Sequence, residues 1–215
     1  NFADILNLRA KDHNAKIILF GKNNHYEGEL NLEQDGEIQR YNAWAALSVA
    51  QALKLDLNKA AAALKDFGAL DGRGKKHILN LPASGTYTLI DDSYSGQPEA
   101  MKIAIKSLDE MPCKGRKIAV LGKMAELGNT SKAQHIAIGK LLAETGIDIV
   151  VGVCPEMKDM LAQLPDRIEQ YYFENKEGIA EFLKNKLLQN NDILLIKGAR
   201  YSSELYKVTD TLLKG

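Results

Sequence analysis

Two consecutive carboxylates, Asp91 and Asp92, follow a β-rich apolar run from Thr86 to Ile90 and precede Ser93-Tyr94-Ser95-Gly96-Gln97-Pro98. In open α/β sheets ligands bind beyond the carboxyl ends of strands, and both acids fall at such an end. Lys197-Gly198 occupies a second one, after the buried run Ile193-Leu194-Leu195-Ile196. A lysine there, beside acidic Asp92, could anchor a carboxylate or a phosphoryl oxygen. Gly198 brings no Cβ to crowd a ligand, and the next helix start adds partial positive charge. A third candidate is Arg73, in Asp71-Gly72-Arg73-Gly74-Lys75-Lys76, whose forked, permanently charged guanidinium suits phosphate. Each has a plainer alternative. The acids could cap a helix, Lys197 could be a solvated charge at a helix start, and the glycine turn could be a solvated turn or basic surface patch. That turn is not a P-loop, since Gly-x-x-x-x-Gly-Lys-[Ser/Thr] occurs nowhere in the chain.

The elements that must position these residues are legible as alternating periods. Strands are expected at Thr86–Ile90, Lys117–Leu121, Ile147–Val151, Gln170–Phe173 and Ile193–Ile196, each rich in β-formers. Helical stripes separate them: Met101, Ala104, Ile105 and Leu108 after Pro98, then Met157, Met160, Leu161 and Leu164, then Ile179, Phe182, Leu183 and Leu187. Leu205, Val208 and Leu212 form the last stripe. Another helix is expected to open near Ser131 with a Ser131/Gln134 capping box and close at Gly146. The fold class is therefore α/β, a mostly parallel, doubly wound, Rossmann-like sheet with right-handed crossovers. The methionine stripe reads as core packing, and a lone His135 on a helix as a packed or exposed residue.

The first part of the chain reads differently. Ile17-Ile18-Leu19-Phe20-Gly21 resembles a short buried strand, Tyr26 to Leu32 another, and Asn31 to Gly36 a turn or exposed edge. Asn42 to Leu53 should be a helix with Trp44, Leu47 and Ala50 or Leu53 on one face. Asp56 to Asn58 offer caps for a second helix, Lys59 to Phe67, ended by Gly68. A linker is expected around Leu81 to Gly85, dividing the chain into 1–83 and 84–215. With no initiator methionine and too little core before residue 40, the chain is expected to begin inside a larger protein.

Composition narrows the function classes. Lys plus Arg equals Asp plus Glu at 28 each, so no overall field attracts nucleic acid or an anionic membrane. The longest apolar runs are too short to span a bilayer, and no signal peptide is expected. Cys113 and Cys154 lack metal-ligand spacing and read as reduced thiols. A cytoplasmic protein, expected to be a monomer with no metal site of its own, fits these features.

Several motifs together resemble the muramyl (Mur) ligase family. Asp-Asp-Ser-Tyr-x-x-x-Pro at 91–98 is similar to the opening of that family's C-terminal domain, usually Asp-Asp-Ser-Tyr-Asn-Ala-Asn-Pro, with Ser95 and Gln97 in place of two asparagines. Gly36 to Ala46 resembles the end of its central ATP-binding domain, with Ile38 and Gln39 replacing His and Asn, and Gly72-Arg73 falls where its Gly-Arg should. Gly122-Lys123-Met124-Ala125-Glu126-Leu127-Gly128 resembles Gly-Asp-Met-x-Glu-Leu-Gly, with His135 and Gly139 at the family's spacing, and Lys197-Gly198-Ala199-Arg200 resembles Lys-Gly-Ser-Arg.

The resemblance implies the end of a central ATP-binding α/β domain followed by a complete C-terminal domain, and it implies ATP-dependent amide formation for peptidoglycan synthesis. The carboxylate of a UDP-N-acetylmuramoyl-tripeptide would take the γ-phosphoryl group, and the amine of D-alanyl-D-alanine would attack the acyl phosphate. Mg2+ would be held mainly upstream. Gln39, Asn42, Arg73 and Asp92 are the implied ATP-binding residues. Asp91, Ser93, Tyr94, Glu126, Gly198 and Arg200 are the implied substrate-binding residues, with Lys197 as the catalytic group. Without a P-loop this stretch alone is expected to be inactive. A folylpolyglutamate or cyanophycin synthetase type of ligase, or a non-catalytic nucleotide-binding Rossmann-like domain, would share the sheet. The Asp-Asn-Pro-Arg motif of the diaminopimelate-adding relatives is absent.

Overall fold

The computed structural model describes residues 10–11, 13, 15–21, 26–32, 37–68 and 70–214. Two compact units result, Asn1–Ala69 and Leu70–Gly215. In the first, α1 (Glu37–Ala52) begins earlier than the expected Asn42. It buries Ala43, Leu47 and Ala50, the i, i+4, i+7 spacing of one helix face. Trp44 flanks that face with its ring 5.2 Å from Tyr41, while Leu53 is exposed. Asp56 caps α2 (Leu57–Ala63) by accepting from the Asn58 and Lys59 backbone N–H groups. A 3-10 turn, Leu64–Asp66, then ends it. The strands expected at 17–21 and 26–32 do not form. Ile17, Leu19 and Phe20 are exposed, and only Gly21 makes an isolated bridge. The expected turn at 33–36 lies outside the described residues.

The second unit is a six-stranded sheet: β1 (Lys75–Asn80), β2 (Thr86–Asp92), β3 (Lys117–Gly122), β4 (Ile149–Val153), β5 (Glu169–Phe173) and β6 (Ile193–Lys197). Their order is β1-β2-β6-β3-β4-β5. Only the β1–β2 pair is antiparallel. β1 stands where sequence suggests a polar turn, and 81–85, read as a linker, is the hairpin loop that closes on Leu81 N–H to Gly85 O at 2.9 Å. The compact unit thus starts at Leu70, ahead of the expected division at 83. Lys75-Lys76-His77-Ile78-Leu79-Asn80 escapes recognition because an edge strand carries charge and polarity that a central one cannot.

Period-2 alternation sorts the strand side chains onto two cores. Leu89, Ile118, Val120, Val151, Leu194 and Ile196 face one cluster with α6 (Ile179–Phe182), its π-helical continuation Leu183–Leu187 and α8 (Leu205–Leu213). Ile90, Ala119, Leu121, Val150, Ile193 and Leu195 face the other, with α3 (Pro98–Glu110), α4 (Ser131–Ala143) and α5 (Met157–Leu161). Burial on both faces explains the uninterrupted apolar runs of β4 and β6. The Ser131/Gln134 capping box does not form. The 3-10 turn Gly128–Thr130 runs directly into α4, so Thr130 is helical and no extended N-cap residue exists. β6 enters last, between β2 and β3, so the loops after those three strands converge at the sheet's carboxyl edge.

Candidate functional site

At that edge Asp91 and Asp92 point to opposite faces, as adjacent strand residues must. Asp91 is 6% exposed and its carboxylate is occupied from within. Oδ2 accepts from Gly72 N–H at 2.8 Å, and Oδ1 accepts from the Ser93 hydroxyl at 2.6 Å and Ser93 N–H at 3.2 Å. The Asp91 carbonyl takes Gly74 N–H at 2.7 Å, and Tyr94 N–H returns to the Gly72 carbonyl at 3.0 Å. Gly72 is required in this turn. Its φ is +74°, and a Cβ would sit 3.0 Å from Tyr94 Cβ.

Asp92 is the register partner of Lys197 in the neighbouring parallel strand. The Lys197 ammonium donates to Asp92 Oδ2 at 2.7 Å and to the Ser95 carbonyl at 2.9 Å, and the residue is 1% exposed. Neither a solvated lysine nor an open seat for an incoming carboxylate describes it. Burial pushes the Asp92 carboxyl up, with Lys197 and more weakly Arg73 pulling it back, and the net direction is upward. Gly198 is also closed in. A Cβ there would meet Ser203 Oγ at 2.5 Å and Gly122 Cα at 3.0 Å, so its smallness serves the approach of the β3 and β6 ends to α7 (Arg200–Ser203).

Outside this buried layer lies a cationic and aromatic one. The Arg73 guanidinium sits 4.3 Å from the Tyr94 ring centroid; that of Arg200 sits 5.6 Å from the same ring and 4.2 Å from Tyr206. The Arg200 backbone N–H donates to the Tyr94 carbonyl at 3.2 Å, locking the two loops together. Neither arginine forms a salt bridge with a described residue. Tyr94 is 45% exposed. Two guanidinium forks beside one ring, with no salt bridge to a described residue, suit a phosphate or carboxylate ligand.

The loop after β3 is held by His135, which is wholly buried on α4. Its Nε2 accepts from Met124 N–H at 3.1 Å, so the ring proton is on Nδ1, which donates to the Ser131 carbonyl at 2.8 Å. This is a packed histidine that shapes a loop. Lys123 pairs with Glu156 at 2.9 Å. Burial pushes the Glu156 carboxyl up, but the Lys123 hydrogen bond, its own backbone N–H and the Lys123 charge together outweigh it and hold it below the ordinary range. Glu126 is exposed, at φ 61°.

Six of the expected site residues, Arg73, Asp91, Asp92, Ser93, Tyr94 and Arg200, therefore meet Lys197 and Gly198 at one edge, while Glu126 projects from the loop after β3. Gln39 and Asn42 lie on α1 in the other unit, both exposed. Sequence reasoning missed Tyr206 and Glu156; neither lies in a motif, and only the packing of α8 and the end of β4 bring them in. Arg73 and Arg200, without salt bridges among the described residues, fit the phosphates of a nucleotide. The acids do not fit Mg2+, because Asp91 is spent on Gly72 and Ser93 and Asp92 on Lys197. No group of three or more His, Cys, Asp or Glu among the described residues could hold a metal.

Residues 80–200 match the profile of the Mur ligase, glutamate ligase domain, more than half of the chain. The chain belongs to the Mur ligase family. The UDP-N-acetylmuramoyl-tripeptide–D-alanyl-D-alanine ligase of Buchnera aphidicola subsp. Acyrthosiphon pisum is 35% identical over 175 residues, covering 80% of this chain and 36% of that protein. The ligase of the same name from Escherichia coli K12 is 34% identical over 160 residues, 74% of this chain and 33% of that one. Among solved structures, MurF from Acinetobacter baumannii superposes with a TM-score of 0.73 at 26% identity, covering 86% of this chain and 40% of that one. The MurF ligase of Thermotoga maritima in complex with ADP gives 0.64 at 26% identity, over 81% and 37%. The chain spans about a third of the length of the curated relatives it matches. No helix among the described residues is long and apolar enough to cross a membrane.

Proposed function

We propose that this chain serves an ATP-dependent ligase that joins D-alanyl-D-alanine to a UDP-N-acetylmuramoyl-tripeptide in cytoplasmic peptidoglycan synthesis. The observation that carries the reading is the Arg73 guanidinium, seated on Tyr94 at the carboxyl edge of the sheet with no salt bridge to a described residue. The names of the relatives, and the ADP held by one structural neighbour, support the substrates and the nucleotide.

In this reading Arg73 binds nucleotide phosphate, and Asp92, charge-balanced by Lys197, faces the ribose. Arg200, Tyr94 and Glu126 face the amino substrate, with Gln39 and Asn42 near the base. ATP supplies the phosphoryl group that activates the tripeptide carboxylate. The chain's own residues bind, orient and exclude water, so that the dipeptide amine meets the face of the activated carbonyl and phosphate leaves. Mg2+, required for the phosphoryl charge, would be held by residues other than these acids.

The test uses the full gene product. Phosphate release from ATP should require both the UDP-linked tripeptide and D-alanyl-D-alanine, and Arg73→Ala should weaken ATP binding about tenfold, the loss of one charge-assisted contact. Turnover that ignores the dipeptide, or that accepts glutamate in its place, overturns the reading. The 215-residue chain assayed by itself should turn over no ATP.

A further inference from the structure

We infer that Asp91 is a positioning residue for Arg73: its buried carboxylate fixes the 70–74 turn on the end of β2 and so sets where the Arg73 guanidinium can reach. The inference rests on the reading of Arg73 as a phosphate ligand, and it removes Asp91 from the residues that touch substrate.

Arg73 is an exposed side chain on a pinned backbone. On its N-terminal side Gly72 is held twice, its N–H by Asp91 Oδ2 at 2.8 Å and its carbonyl by Tyr94 N–H at 3.0 Å. On its C-terminal side Gly74 N–H is held by the Asp91 carbonyl at 2.7 Å, and Arg73 N–H itself closes onto the Leu70 carbonyl at 3.0 Å. Asp91 thus grips the turn on both flanks of Arg73, once with its side chain and once with its backbone. The other carboxylate oxygen is taken by Ser93, which fixes the same β2 end from which Tyr94 offers its ring to Arg73. The acid joins the two halves of one cation–π contact. A flexible arginine would lose rotamer freedom on binding an anion; one held on a ring above a locked turn has already given up most of it.

An asparagine at 91 cannot reproduce this. It has one acceptor oxygen, and its amide N–H₂ must confront either Gly72 N–H or Ser93 N–H, donor against donor.

Two measurements decide the matter. In the 215-residue chain, NMR should show the Arg73 side-chain protons shifted by the Tyr94 ring current. Asp91→Asn should move them toward their position in Tyr94→Leu, whereas Ser93→Ala, which keeps the Gly72 bond and the backbone N–H at 93, should move them less. Should Asp91→Asn fail to fold, Asp91→Glu keeps both acceptors one methylene further out, and must displace the Arg73 signals as well. In the full gene product Asp91→Asn should weaken ATP binding about tenfold, but add nothing in an Arg73→Ala background, because both changes remove one interaction. Unmoved Arg73 signals in the folded Asp91 variants, or additive losses in the double variant, overturn the inference. If instead Arg73→Ala leaves ATP binding intact, the phosphate reading of Arg73 fails, and the ring-current shifts alone decide whether Asp91 positions it.

Discussion

Lys197 and Asp92 face each other across the register of two parallel central strands, ammonium to carboxylate at 2.7 Å. The pair closes the carboxyl edge where β2 and β6 end, and the Ser95 carbonyl gives the lysine a second acceptor. A buried pair of this kind adds little stability over an apolar packing, yet breaking it exposes the cost of a lone buried charge.

Lys197→Met should therefore destabilise the fold by about 3–5 kcal/mol at neutral pH. Asp92 would be left in the site whose burial already raises its pKa above the model-compound value of 3.8. A carboxyl raised in the folded state contributes stability that is complete below the unfolded pKa and lost as pH rises through the folded one. The penalty of the variant should therefore shrink as pH falls through the folded pKa of Asp92, where the acid becomes neutral. Urea unfolding of both proteins at a series of pH values measures this; a penalty independent of pH refutes it.

Lys123→Met should raise the pKa of Glu156 from its depressed position. In the wild type, burial pushes that carboxyl up and the lysine overrides it. Without the lysine, burial is opposed only by the Glu156 backbone N–H and, more weakly, by His135. The stability that the wild type loses as pH falls through the depressed pKa is then smaller in the variant. A ¹³C titration of the Glu156 carboxyl reads the shift directly, and an unchanged titration curve excludes this account.

Asp192→Ala should cost about 3 kcal/mol while leaving nucleotide binding by the full gene product unchanged. Asp192 is 1% exposed at the amino end of β6 and accepts from Arg116 N–H at 2.9 Å, Arg116 Nη2 at 2.7 Å and Gln189 N–H at 2.8 Å. These bonds tie the starts of β3 and β6, at the edge opposite the candidate site. The denaturant midpoint should fall with the unfolding slope preserved; a loss of nucleotide affinity with unchanged stability would contradict this placement.

The residues alone determined the alternation of strands and amphipathic helices, because burial on both faces of a parallel sheet demands continuous apolar runs such as Ile193-Leu194-Leu195-Ile196. They also determined that Asp91, Asp92, Lys197 and Gly198 fall at strand ends, since a strand's end is where its apolar period stops. What each of these does was not legible. Asp91 and Asp92 are chemically alike in the chain, yet opposite pleats give one to the Gly72 turn and the other to Lys197. Lys197 is 105 residues from Asp92 in sequence, and only the late insertion of β6 beside β2 makes them neighbours. Gly198 reads as room for a ligand and proves to be room for Ser203 and Gly122. The edge strand β1 and the hairpin before Thr86 are hidden for a related reason. β1 carries only Ile78 and Leu79 as strong apolar residues, too few to announce a strand, and its identity comes from the partner that it pairs with.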